Sequence, residues 1–295
     1  MSGITLALAA AVVSGISIYV NAQAVSAFPN ATLFTTLKNV MVGAALVAAV
    51  LVWRRADVRR LAPKQWGGLA ILGVVGGSVP FVLFFEGLSR SVNAGDAAFI
   101  HKTLFLWVAF AAIAFLPRER LGTGQVAALG VLLVAQLLLG APRAVNVGIG
   151  ELMVLAATLL WSAEVVIARR FLPSTSSAIG AAGRMGGGAL VMLAYTGATG
   201  QFHLALSPVQ WTWLVLTAVL PAAFVSTWYA ALRRSPATAV TSVLTLGAPI
   251  TALLALGAGR VPSVPQLAGY ALVAVAVGAF IAFERRRARP EPVPA

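Results

Sequence analysis

Ten stretches of roughly twenty apolar residues, set apart by short polar connections, run through this chain of 295 residues. They fall near 3–25, 31–53, 66–88, 93–116, 123–140, 148–170, 176–199, 209–232, 236–257 and 265–284. A helix can cross a bilayer with about 20 residues because it satisfies its own backbone hydrogen bonds. Barrel strands would alternate apolar and polar positions over about ten residues, and these stretches are too long and too evenly apolar for that. The expected fold is therefore an all-α polytopic membrane protein. Composition agrees: 60% of residues are hydrophobic and 10% charged, against about 25% charged in soluble domains. Soluble, disordered and disulfide-framed classes are excluded. With no Cys and two His, neither thiol chemistry nor a Cys- or His-rich metal site is expected. No cofactor is expected.

The net charge of +13 does not point to nucleic acid, because the basic residues sit in short clusters between apolar runs. Under a ten-span reading, 15 of the 21 Lys and Arg fall on one side. They include Arg54, Arg55, Arg59, Arg60, Lys64, Arg118, Arg120, Arg169, Arg170, Arg233, Arg234 and Arg285 to Arg289. Arg90, Arg143 and Arg260 fall on the other side, and Lys38, Lys102 and Arg184 lie within spans. This bias places both termini in the cytoplasm, in an inner (plasma) membrane of bacterial type. Ala22-Gln23-Ala24 looks like a signal-peptide cleavage site, but no Lys or Arg precedes the first apolar run. A retained first helix is the expectation.

The two halves resemble each other. Gln65-Trp66 opens span three and Gln210-Trp211 opens span eight. Phe85 to Ser91 matches Tyr229 to Ser235, and Gln125 matches Gln266. The expected units are a first five-helix repeat at 1–140, a second at 148–284 and a cytoplasmic tail at 285–295. Five is an odd number of crossings, so the second copy would sit upside down. Inverted repeats build alternating-access transporters, with substrate bound near the midplane between the halves.

The fragment Leu116-Pro117-Arg118-Glu119-Arg120-Leu121, followed by Gln125 and Gly130, is similar to the repeat signature of the drug/metabolite transporter superfamily. So is Ala248-Pro249-Ile250 in span nine. The second copy departs at Gly259-Arg260-Val261-Pro262, which lacks the Glu often found there. The resemblance covers nearly the whole chain and is nearest to the aromatic amino acid exporters. It implies ten helices around a central cavity and efflux of amino acids or similar small metabolites.

An ionised group at the bilayer centre costs about 2.5–3.5 kcal/mol on insertion scales, so those inside spans should pair, face the interior or touch water. Ser14, Ser17 and Asn21 share one face of span one, and their repeat mates are Trp161, Glu164 and Ala168. Thr238, Thr241, Ser242 and Thr245 share a face of span nine, whose mates include His101. Such stripes either line a cavity or pack helices. Lys38, with Asn39 beside it, and Lys102 lie at similar depth. They either receive a substrate carboxylate or pair with Glu86 or Asp96. Glu164 and Arg184 read as a buried ion pair, or as one that opens when substrate arrives. Trp107, Trp161, Trp228 and Tyr229 could stack on a substrate, although Trp and Tyr also gather at interfaces. Pro80, Pro221 and Pro249 are candidate hinges. Gly73, Gly77, Gly183 and Gly187 permit either close packing or rocking.

No Walker A motif, nucleophile elbow or metal cluster occurs, so neither ATP nor catalysis is expected. A gradient of substrate, protons or sodium would drive export, with Glu86, Glu164 and His101 as possible proton carriers. The competing function is an exporter of drugs or organic cations; an intramembrane scaffold or enzyme ranks below both.

Overall fold

The computed structural model describes residues 1–90, 94–117, 119–140, 148–202 and 204–287, and every regular element among them is helical. Among the described residues, ten helices are long and apolar enough to cross a membrane. The first two are α1 (Gly3–Ala24), prolonged by a 3-10 turn Val25–Ala27, and α2 (Ala31–Trp53), trailed by the short α3 (Arg55–Arg59). The third is α4 (Pro63–Val75) plus α5 (Val79–Ser89), and the fourth is α6 (Ala94–Lys102) plus α7 (Leu104–Phe115). Then come α8 (Thr123–Gly140), α9 (Ile149–Phe171) with its 3-10 turn Leu172–Ser174, α10 (Ser177–Ala198) and α11 (Pro208–Arg234). The ninth is α12 (Ala237–Leu244) plus α13 (Gly247–Gly257), and the last is α14 (Val264–Arg287). The helix ends agree with the apolar stretches to within a few residues. Helix α14 continues through Arg285 and Arg286 to Arg287. Arg118, Arg143 and residues 288–295 lie outside the described residues.

The repeated glutamines have one local job. At the starts of spans three, five, eight and ten, a Gln side-chain oxygen accepts from the backbone N–H three residues earlier. The pairs are Ala62 with Gln65 at 2.9 Å, Gly122 with Gln125 at 2.9 Å, Ser207 with Gln210 at 2.8 Å and Ser263 with Gln266 at 2.9 Å. A free helix N-terminus leaves such donors unsatisfied. Three of these glutamines also reach across the molecule, Gln125 by donating to Glu284 Oε2 at 2.6 Å. Gln65 donates to the Ser174 carbonyl at 2.7 Å and the Thr175 hydroxyl at 2.9 Å. Gln210 donates to the Ala27 carbonyl at 2.8 Å. Gln65 and Gln210 thus each fasten the turn that ends a helix of the other half.

Packing between the halves is crossed in the same way. The first span lies on α11, α12 and α13, and α9 lies on α4, α5, α6 and α7. Helix α2 packs on α10, and α8 on α14. The α4–α10 crossing is tight, because Gly73 and Gly77 meet Gly187 and Gly188. A side chain on Gly77 would fall on the Arg184 carbonyl. Here these glycines serve close packing. Phe105, Leu132, Met185, Tyr229 and Phe280 belong to one continuous core. Phe110, Leu190, Val219 and Val275 point outward as an apolar jacket, the surface acyl chains would wet.

Three spans break. Proline offers no N–H and its ring crowds the carbonyl four residues back. Four residues before Pro80 is Gly76, and the break between α4 and α5 lies at Gly76 to Ser78. Four before Pro249 is Thr245, where α12 gives way to α13. The fourth span breaks at Thr103 without a proline; its hydroxyl donates to the Ile100 carbonyl at 2.6 Å and accepts the Trp107 indole N–H at 3.0 Å. Pro221 lies inside α11, which runs unbroken through it.

Candidate functional site

The deepest charges form one closed cluster. Arg184 Nε donates to Glu164 Oε1 at 2.7 Å, and the Tyr229 hydroxyl donates to the same oxygen at 2.7 Å. The three residues come from α10, α9 and α11, and all are buried. The guanidinium also approaches the Phe81 ring at 6.0 Å. Room for the carboxylate comes from Gly76, where a Cβ would overlap the Glu164 carboxyl group. The break in span three has a second consequence. Pro80 cannot donate to the Gly76 carbonyl, and the Trp161 indole N–H takes that acceptor at 3.2 Å. Pairing every polar group in this way removes most of the cost of burying it.

The two in-span lysines are different. Lys38 is 8% exposed. Its ammonium donates to Asn21 Oδ1 at 3.0 Å and lies 4.3 Å from the centre of the Phe34 ring. Asn21 in turn donates to Ser17 Oγ at 2.8 Å. Among the described residues no carboxylate bridges to Lys38. The alternative pairing with Glu86 is not formed, because Glu86 accepts from the Tyr195 hydroxyl at 2.9 Å and from Gln201 at 3.5 Å. Lys102 likewise makes no ion pair among the described residues. Asn39 turns away, into the α2–α10 contact, with its amide on Met192 Sδ at 3.3 Å.

Aromatic rings gather between α5, α6 and α9. Trp161 meets His101 edge-on at 4.9 Å, Phe81 at 5.2 Å and Phe84 at 5.8 Å between ring centres. His101 Nδ1 is buried with no partner among the described residues. Trp228 stacks on Phe224 at 5.7 Å and, like Tyr229, is buried, so neither is an interface residue. Trp107 is half out of the bundle and Trp66 and Trp211 are exposed. The span-nine stripe packs: Thr238, Thr241 and Ser242 are buried, and only Thr245 remains half-exposed. A crevice of about 240 Å³, lined by Leu46, Val50, Trp53, Arg54, Ser177 and Ser226, touches none of these candidates.

One buried carboxylate was not singled out in the sequence reading. Glu119 is 8% exposed and caps α12, accepting from the Ala237 N–H at 2.6 Å, the Thr238 N–H at 3.2 Å and the Thr238 hydroxyl at 3.3 Å. Arg169 at the end of α9 stands 3.6 Å from it and donates to the Leu232 and Arg233 carbonyls at 2.9 and 3.2 Å. Arg170 donates to the Phe115 carbonyl at 2.6 Å. The basic ends of spans four, six, eight and nine are thus knotted together. A carboxylate at a helix N-terminus meets the positive end of the helix dipole. Its sequence signal was the signature fragment itself, whose Glu119 has no counterpart at Gly259 to Pro262.

The sequence profile of the EamA-like transporter family matches twice, over residues 1–141 and 148–282. The chain belongs to the EamA-like transporter family. That family lies within the drug/metabolite transporter superfamily, so this EamA-like chain is an integral membrane protein of the class that moves small metabolites. A solved structure described as a crystal structure of a protein superposes with a TM-score of 0.78 at 22% identity, over 97% of this chain and 99% of that one. This likeness shows the fold of the EamA-like chain. No curated protein matches it. The two profile matches are separated by residues 142–147, in the connection between the fifth and sixth spans of the EamA-like chain.

Proposed function

We propose that the chain is a secondary transporter that exports amino acids, aromatic ones among them, or related small metabolites, by alternating access between two inverted repeats at 1–140 and 148–284. The observation that carries the reading is Lys38, a cation inside a span with no protein carboxylate on it among the described residues. Such a group is costly unless an anion visits it. The rings of Phe81, Phe84 and Trp161 suit an apolar or aromatic side chain. The crossed packing of α1 on α11 and of α9 on α4 and α5 supports a pair of halves that move against each other. The Glu119 knot supports a state closed at the basic end, which the charge bias assigns to the cytoplasm of an inner (plasma) membrane. Export of organic cations fits less well, because a cation would have to pass an uncompensated ammonium.

Uptake of a panel of labelled amino acids into proteoliposomes, with and without a pH gradient, tests this. Saturable uptake with competition between amino acids is the expected result, and its response to the gradient separates proton coupling from facilitated diffusion. Uptake no higher than in empty vesicles, from folded protein, overturns the amino-acid assignment. Reporter fusions at the C-terminus test the assigned orientation.

A further inference from the structure

We propose that Lys38, Ser17 and Asn21 form a subsite for the carboxylate of the transported molecule, and that the second half of the chain displays its filled form. The proposal deepens the exporter reading and rests on it for the role of the bound molecule. The register comes from the helix ends. Asn30 and Ser176 are the N-caps of α2 and α10, each accepting a backbone N–H with its side chain. Lys38 lies eight residues beyond Asn30, and Arg184 eight beyond Ser176. The 3-10 turns after α1 and α9 start at Val25 and Leu172. Ser17 lies eight residues before the first, and Glu164 eight before the second. The same two positions therefore hold Lys38 with Ser17 in one half and Arg184 with Glu164 in the other.

In the second half the carboxylate is built in. In the first half its place falls to a serine, whose hydroxyl carries no charge to neutralise the cation. What remains there is a set of donors. Lys38 carries three N–H groups, of which Asn21 takes one. Ser17 Oγ accepts from Asn21, and its own proton has no acceptor among the described residues. An ionised carboxylate is acceptor-only and monoanionic, which complements both the free donors and the uncompensated charge. Ser17 and Asn21 are half-buried, so the subsite remains accessible. The ligand class is a small organic acid, with an amino acid carboxylate as the member the exporter reading selects.

The test uses purified full-length chain. Thermal-shift titration compares 3-phenylpropionate, which keeps the carboxylate, with 2-phenylethylamine, which lacks it. The wild type should be stabilised by the acid and not by the amine. Lys38→Met and Ser17→Glu should each weaken acid binding by about tenfold to a hundredfold, the worth of a hydrogen bond to a charged group. Ser17→Glu should do so while raising the melting temperature, because it closes Lys38 with a tethered carboxylate as Glu164 closes Arg184. Equal binding of acid and amine by the wild type, a comparison that needs no variant, overturns the subsite. So does undiminished acid binding by folded Lys38→Met. Acid binding lost in Lys38→Met from a wild type that transports nothing in vesicles upholds the subsite and removes the exporter reading.

Discussion

Lys38 and Arg184 occupy equivalent places near the starts of α2 and α10, yet their surroundings diverge. Arg184 is held by Glu164 at 2.7 Å, with Tyr229 on the same oxygen. Lys38 has an amide and an aromatic ring but no carboxylate among the described residues. A buried pair tolerates no loss of one partner, because the survivor is stranded. On the reading proposed above, the uncompensated cation serves a partner that comes and goes, with framework duty in the Arg184 half and ligand duty in the Lys38 half.

The largest test of that division removes one side of the closed cluster. Glu164→Gln and Arg184→Gln should each lower stability by about 3–5 kcal/mol and slow transport, with the double substitution recovering part of both. Melting curves and vesicle uptake read this; a double variant no better than the singles would break the assignment. Gly76→Ala comes next, since its new methyl meets the Glu164 carboxyl group. Overpacking of this kind costs about 1–3 kcal/mol, visible as a lower melting temperature. Glu119→Gln should cost about 1–2 kcal/mol, near that of a lost helix cap. Because the chain has no native cysteine, a single Cys at Thr241 can report on the knot, and it should label faster in the Glu119→Gln background. Lys38→Met should change stability least, by under about 1 kcal/mol, since it removes an ion that no protein carboxylate needs. A loss as large as that of Arg184→Gln would place Lys38 in the framework and erase the contrast.

The spans were legible because apolar length is a coarse signal that survives any detail of packing. The breaks at Pro80 and Pro249 were legible too, through the missing N–H. At Pro221 no break followed: a proline removes one hydrogen bond, and whether the helix then parts depends on what packs around it. Glu164 with Arg184 could be paired from depth alone. The third member, Tyr229, could not, because its partner lies 65 positions away. Asn39 shared a depth with Lys38 but not a direction, since neighbours on a helix point about 100° apart. Glu119 lay in the open within a signature fragment, yet its task is to cap a helix that begins 118 residues later.

The crossed glutamine fastenings have a consequence for how the molecule is made. Gln210 closes a turn at Ala27, 183 positions upstream, and α1 rests on α11, α12 and α13, which are translated late. The first span must therefore wait in the lipid, held only by its own hydropathy, until the eighth span has left the ribosome. Insertion can proceed helix by helix, but final assembly cannot begin before most of the chain exists. A truncated product would keep its crossings and lack the neighbours that cover them, which makes the unfinished protein a natural client for membrane quality control.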